Sequence, residues 1–104
     1  MQIRKFRDAL RLFKQEDPFT SAQLMEVFCT IAMAEGRASQ DLEHELDIPK
    51  STMSRHLAML SKRYRKNYDG YDLIRLEENP EDRRSKLIYL TEKGKQFRDE
   101  ITSI

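Results

Sequence analysis

Tryptophan is absent from this chain of 104 residues, cysteine occurs once, histidine twice, and glycine and proline three times each. A lone thiol excludes an internal disulfide, and Cys29, within "MEVFCTIAM", reads as a buried thiol rather than a redox sensor. Two His and one Cys at scattered positions lack the spacing of zinc ligands, so no metal is expected. No apolar run approaches the roughly 20 residues of a membrane span. The N-terminal "MQIRKFRDALRLFK" is charged throughout, where a signal peptide has an apolar segment. A cytoplasmic chain with no membrane partner is the expectation. Patterns of catalysis are missing too: there is no Ser/His/Asp spacing, no Gly-rich phosphate loop and no carboxylate pair, and His44 and His56 fall on different expected helices. The chain therefore reads as a non-enzyme that needs no cofactor.

What the sequence does have is charge, unevenly placed. With 38% hydrophobic and 36% charged residues, it has the composition of one small folded domain, residues 1–104, with much surface. Residues 1–48 hold six Lys/Arg against nine Asp/Glu, whereas residues 49–98 hold thirteen against seven. Within residues 50–66 there are six basic side chains and no acid. A solvated helix face ordinarily mixes both signs, so this one-sided stretch points to a polyanion met by one side of the protein.

Periodicity supplies the elements. Ile3, Phe6, Leu10 and Phe13 recur at steps of three and four, marking an opening helix that Asp17-Pro18 stops. Thr20 and Gln23 have the spacing of a capping box, with Phe19 and Leu24 placed for a hydrophobic staple, so a second helix should run to about Ala34. A short third helix is expected in "SQDLEHEL", with Ser39 as its N-cap and Leu42 and Leu46 inward. After the tight turn "DIP", Pro49 suits the start of a fourth helix, expected over about 50–66. Its inner face is Met53, Leu57 and Leu60, and its outer face Ser51, Ser54, Arg55, Ala58 and Lys62. Two β-type runs, "YDLIRLEEN" and "SKLIYL", follow Asp69-Gly70, and Thr91 begins a last helix.

Two short helices joined by a tight turn, then a hairpin, describe a winged helix-turn-helix: a mainly α fold with a small β-hairpin, whose second helix enters the major groove. The fourth helix supplies the required chemistry. Lys50, Lys62 and Arg63 suit phosphates, while Ser51, Thr52, Ser54, Arg55 and His56 offer short polar groups and an Arg for base edges. The wing, residues 78–90, has Asp82, Arg83, Arg84 and Lys86 at and beside its tip, with no Asn-Gly to tighten the turn. A tip that long and charged suits contact with a ligand better than mere chain reversal.

"NPEDRRSKLIYLTEKGKQF" resembles the wing signature of the MarR family of bacterial transcription regulators: Asp-x-Arg, then a strand ending in Leu-Thr-x-x-Gly. "LDIPKSTMSRHLAML" is similar to that family's recognition helix, and the resemblance spans roughly residues 20–98. It implies a homodimer that binds a palindromic operator in double-stranded DNA and usually represses. It also implies that Arg84 reaches into the minor groove while Asp82 holds it. The terminal helices, about 2–14 and 91–102, then offer a dimer seam of Ile3, Phe6, Leu10, Phe13, Phe97 and Ile101, or else pack onto the chain's own core. Both are short for that family, which makes a small-molecule effector pocket doubtful. The stretch "SKRYRKNYDGYD" departs from the family pattern. It could extend the recognition helix, lie along the DNA backbone or pack on the core. Two other functions fit the same pattern: a winged-helix module docking on an acidic protein, and an origin-binding replication or partition factor.

Overall fold

Five helices and two short antiparallel hairpins make up the described residues of this computed structural model, 1–65 and 68–104. In chain order they are α1 (Ile3–Glu16), α2 (Ala22–Met33), α3 (Ser39–Leu46), α4 (Lys50–Leu60), β1 (Arg63–Arg65), β2 (Tyr68–Asp69), β3 (Ile74–Glu78), β4 (Lys86–Leu90) and α5 (Glu92–Thr102). None of these helices is long and apolar enough to cross a membrane. The centre of the core is a phenylalanine trio. Phe13, Phe28 and Phe97 meet edge to face with ring centroids 5.0–5.9 Å apart, joining α1, α2 and α5. Leu42, Met53, Leu57, Leu60, Leu73, Ile74, Ile88 and Leu90 carry the same core under α3, α4 and the β3–β4 hairpin.

Several local expectations move when tertiary contacts are in place. The second helix starts one residue late: Ser21, not Thr20, is the N-cap, its hydroxyl accepting from the Leu24 N–H at 3.0 Å. The reason lies just upstream. Asp17 closes its own turn, its carboxylate accepting from the Phe19 N–H at 2.8 Å and its carbonyl from the Thr20 N–H at 3.1 Å. Phe19 is left 92% exposed, so the expected staple onto Leu24 does not form. Ser39 is not a cap either. Ala38 occupies that position without a side-chain bond, and Ser39 is buried in the first turn of α3. The helix-turn-helix corner follows the sequence: Asp47 takes the left-handed conformation at φ 52°, and Pro49 stands immediately before α4.

The fourth helix is shorter than expected, ending at Leu60 instead of running to 66. What stops it is the returning chain. The N–H groups of Tyr71 and Leu73 donate to the carbonyls of Met59 and Leu60 at 2.9 and 2.8 Å, satisfying acceptors that a helix end leaves open. Gly70 permits this approach, since a Cβ there would collide with the carbonyl oxygens of Ser61 and Met59. Within the described part of the "SKRYRKNYDGYD" stretch, β1 and β2 pair antiparallel, Arg63 opposite Asp69. The last tyrosine of the stretch packs against the core, the Tyr71 hydroxyl donating to Asp17 at 2.6 Å.

The Leu-Thr-x-x-Gly motif has a structural meaning. Thr91 caps α5, its hydroxyl accepting from the Gly94 N–H at 3.0 Å and donating to the Asp72 carbonyl at 2.6 Å. Gly94 is buried against the Leu73 carbonyl, and any Cβ would overlap that oxygen. Gly94→Ala should therefore lower stability by about 1–3 kcal/mol, the range for overpacking that forces backbone to move. In a domain of this size that is a fall in Tm of roughly 4–8 °C per kcal/mol. A thermal melt by circular dichroism measures it, and an unchanged Tm would show that α5 and Leu73 are not in close register.

Candidate nucleic-acid interface

A helical period of 3.6 sorts the residues of α4 cleanly. Met53, Leu57 and Leu60 are buried, while Lys50, Ser51, Ser54 and Arg55 are exposed and Thr52 is half-buried. Lys62 is exposed just beyond the helix end, and the Arg63 side chain lies outside the described residues. His56 stands apart from these side chains. It is half-buried against α2, its Nε2 2.7 Å from Oε1 of Gln23. Its Nδ1 is buried and unpartnered among the described residues. Burial, followed by the neighbouring positive charge of Arg55, lowers its pKa below the ordinary value of 6.5. This environment suits packing between helices.

The wing is a regular ladder with an irregular tip. β3 and β4 pair from Ile74↔Leu90 to Glu78↔Lys86, leaving residues 79–85 to turn the chain. Two successive turns do so, the Asp82 N–H donating to the Asn79 carbonyl at 3.2 Å and the Ser85 N–H to the Asp82 carbonyl at 3.1 Å. Each turn is braced by its first side chain. Asn79 Oδ1 accepts from the Glu81 N–H at 3.0 Å, and Asp82 Oδ1 from the Arg84 N–H at 3.0 Å. The non-glycine residues of positive φ among those described are Asp47 and Asp72, so the tip needs neither Gly nor Asn-Gly.

Asp82 also receives the Arg84 side chain, Nε to Oδ1 at 3.3 Å, while the Arg84 side chain remains 85% exposed. The guanidinium is thus oriented at its inner nitrogen and open at its outer end. The hydrogen bond from the Arg84 backbone first, then its side-chain bond and charge and the charge of Lys50, hold the Asp82 carboxyl below its ordinary 3.8 against the opposing cost of desolvation. Gln40, Glu43, Lys50, Asp82 and Arg84 surround one concavity of about 120 Å³, and Ser54, Leu76, Arg84 and Lys86 help line an adjoining one of about 200 Å³. Arg83 and Lys86 are exposed beside Arg84. Sequence reasoning missed the contribution of α3, Gln40 and Glu43, because it arises from contacts across more than 40 residues.

The expected seam residues divide. Phe13 and Phe97 are buried in the chain's own core and Ile101 packs against that core, Leu10 is half-buried, and Ile3 and Phe6 are 86% and 50% exposed. Cys29, expected to be buried, is exposed on a groove of about 240 Å³ that it shares with Ala32, Met33 and Ile101. The apolar walls, and secondarily Glu26, raise the pKa of its thiol. Among the described residues, no three His, Cys, Asp or Glu side chains form a metal site.

A scan of protein-family models and a search of curated proteins both find no match to the sequence. The fold, by contrast, is that of MarR-type winged-helix regulators. A MarR transcriptional regulator from Methanosarcina mazei superposes with a TM-score of 0.70 at 21% identity, over 95% of this chain and 67% of that one. The transcriptional repressor CouR, bound to a 23-mer DNA duplex, gives 0.68 at 25% identity over 98% of this chain and 65% of its own. A mutant MarR from E. coli complexed with operator DNA gives 0.66 at 20% identity over 95% and 66%. The chain spans about two thirds of the length of these proteins.

The environment of His56 yields a pH dependence. Its folded pKa is lowered, so the unfolded chain binds the proton more readily, and stability is complete above the ordinary value of 6.5 and declines as pH falls through the lower folded value. The lowered carboxyls, Asp17 and Asp82, act in a separate window below 3.8. Urea unfolding at pH 7.5 and at pH 5 should show a loss in the unaltered protein that is reduced in His56→Gln. Equal losses in both would remove His56 as the source.

Proposed function

We propose that the chain is a DNA-binding transcriptional regulator of the MarR kind, acting as a cytoplasmic, non-enzymatic repressor on a palindromic operator. The observation that carries this reading is the meeting of two basic elements at one concavity: Lys50 at the start of α4, and Arg84 on the wing, held by Asp82 with its outer end free. Structural relatives crystallised with operator DNA and with a 23-mer duplex support it. In this reading Ser51, Ser54 and Arg55 face base edges in the major groove, while Lys50, Lys62, Arg83 and Lys86 meet phosphates. Arg84 enters the minor groove, where A·T-rich sequence narrows the walls and deepens the negative potential. Two copies related by a two-fold axis, with Ile3 and Phe6 of α1 at their contact, would read half-sites about one helical turn apart, or a multiple of it. Nothing in the site favours an acidic protein partner over DNA.

Selection of binding sites from random duplexes tests the reading directly: a two-fold symmetric motif supports it, and no enrichment over input overturns it. Arg55→Ala should cost on the order of 1–3 kcal/mol on the selected site and much less on random DNA. Equal losses on both would make Arg55 a phosphate contact. Arg84→Ala should weaken binding most where A·T-rich sequence flanks the core site, with Asp82→Ala a milder version of the same effect. Titrations against A·T-flanked and G·C-flanked duplexes measure this, and losses independent of the flank would reduce Arg84 to a phosphate anchor.

A further inference from the structure

We propose that Ser39 and Ser85 form a buried latch that positions the wing's Arg84 and Lys86 against the start of α4, so that wing and helix engage one duplex as a unit. The inference rests on the DNA-binding reading and deepens it by naming two positioning residues that touch no DNA themselves. Sequence alone gives Ser85 no role, as a small residue between charged ones. In the fold it is 2% exposed, while Arg84 before it and Lys86 after it both face solvent.

The bonds run in both directions between α3 and the wing. α3 begins at Ala38 without a side-chain cap, and the Gln40 N–H in its first turn donates instead to Oγ of Ser85 at 3.2 Å, across 45 residues of chain. In return the Lys86 N–H donates to Oγ of Ser39 at 3.0 Å. The two hydroxyls lie 3.2 Å apart, so one donates to the other and both oxygens are satisfied. Ser39 is 7% and Ser85 2% exposed, so water competes little for their hydroxyls, and loss of either hydroxyl leaves a backbone N–H without its partner.

The place of the latch gives it a consequence beyond stability. The β3–β4 ladder ends at Glu78↔Lys86, and beyond it the tip is closed only by its own two turns, which fix its shape but not its direction. Ser85 is the point at which that tip meets α3, and α3 leads through the Asp47-Ile48-Pro49 corner directly into α4. The separation between Arg84 and Lys50 is therefore set by Ser39 and Ser85 together with the backbone pairing beside them, where Ala38 stands opposite Leu87 and the Ile88 N–H donates to the Arg37 carbonyl at 3.1 Å. A protein that must present one cation to the minor groove and another face to the major groove gains from holding that separation before it meets DNA.

A double-mutant cycle on the full chain tests the latch. On an A·T-flanked site, Arg84→Ala should lower affinity about tenfold or more in the unaltered protein. In the Ser85→Ala background the same change should cost at least about twofold less, the threshold for coupled residues. A Ser85 that served stability alone would lower Tm and leave the cost of Arg84→Ala unchanged, and such additivity overturns the latch while leaving DNA binding intact. An Arg84→Ala change without effect overturns it also, since the latch would then position nothing of consequence. Absence of any duplex binding by the unaltered chain overturns the DNA reading itself, and the latch's role with it. Should Ser85→Ala fail to fold, Ser39→Ala takes its place in the cycle. Amide exchange in the unaltered protein gives an independent reading: the Gln40 and Lys86 amides should be protected together, and exchange of either at the rate of an open loop overturns the proposal.

Discussion

The backbone of Leu73 is the joint on which the arrangement depends. Its N–H donates to the Leu60 carbonyl and so ends α4, while its own carbonyl accepts from the Thr91 N–H at 3.1 Å and lies against Gly94 at the start of α5. Three elements are thereby tied to one residue, itself 1% exposed. Any change in how the chain leaves α4 must also move the strand that follows Leu73, and with it the wing. The placement of the wing relative to α4 is thus a property of the backbone before any charged side chain contributes.

Electrostatics acts on this frame with a matching asymmetry. The acidic half of the sequence forms α1 to α3, and the basic half forms α4 and both hairpins. Burial then separates tasks within α4: its apolar residues go to the core, its hydroxyls and cations to the surface, and His56 to the contact with Gln23. Glu43 within the same concavity as Lys50 and Arg84 keeps that surface from being uniformly positive. A site of mixed sign discriminates by position as well as by total charge, because an approaching phosphate is favoured at some points and opposed at others.

Much of this was legible in the residues because the deciding interactions are local. Pro49 before a helix, Thr91 three residues before Gly94, and the apolar spacing of Met53, Leu57 and Leu60 each act within a turn or two, and each stands where the sequence puts it. What escaped depends on chain segments that meet only after folding. The α4 terminus is set by residues 70–73, Ser39 is drawn from a cap position to a partner 46 residues away, and Cys29 faces a groove completed by α5. The capping shift from Thr20 to Ser21 is a smaller case of the same kind, since the turn at Asp17 claims Thr20 first. The charged tip was legible in composition, but its two braced turns were not.

The proposed role requires a cationic surface, formed jointly by α4 and the wing, that binds the backbone of duplex DNA. The most direct measurement is the affinity of the chain for duplex DNA as a function of salt. Each neutralised phosphate contributes about −0.9 to the slope of log K against log salt concentration. Several contacts should give a steep negative slope, made shallower by about one contact in Lys62→Ala. A slope near zero, with binding unaffected by salt, would contradict the account.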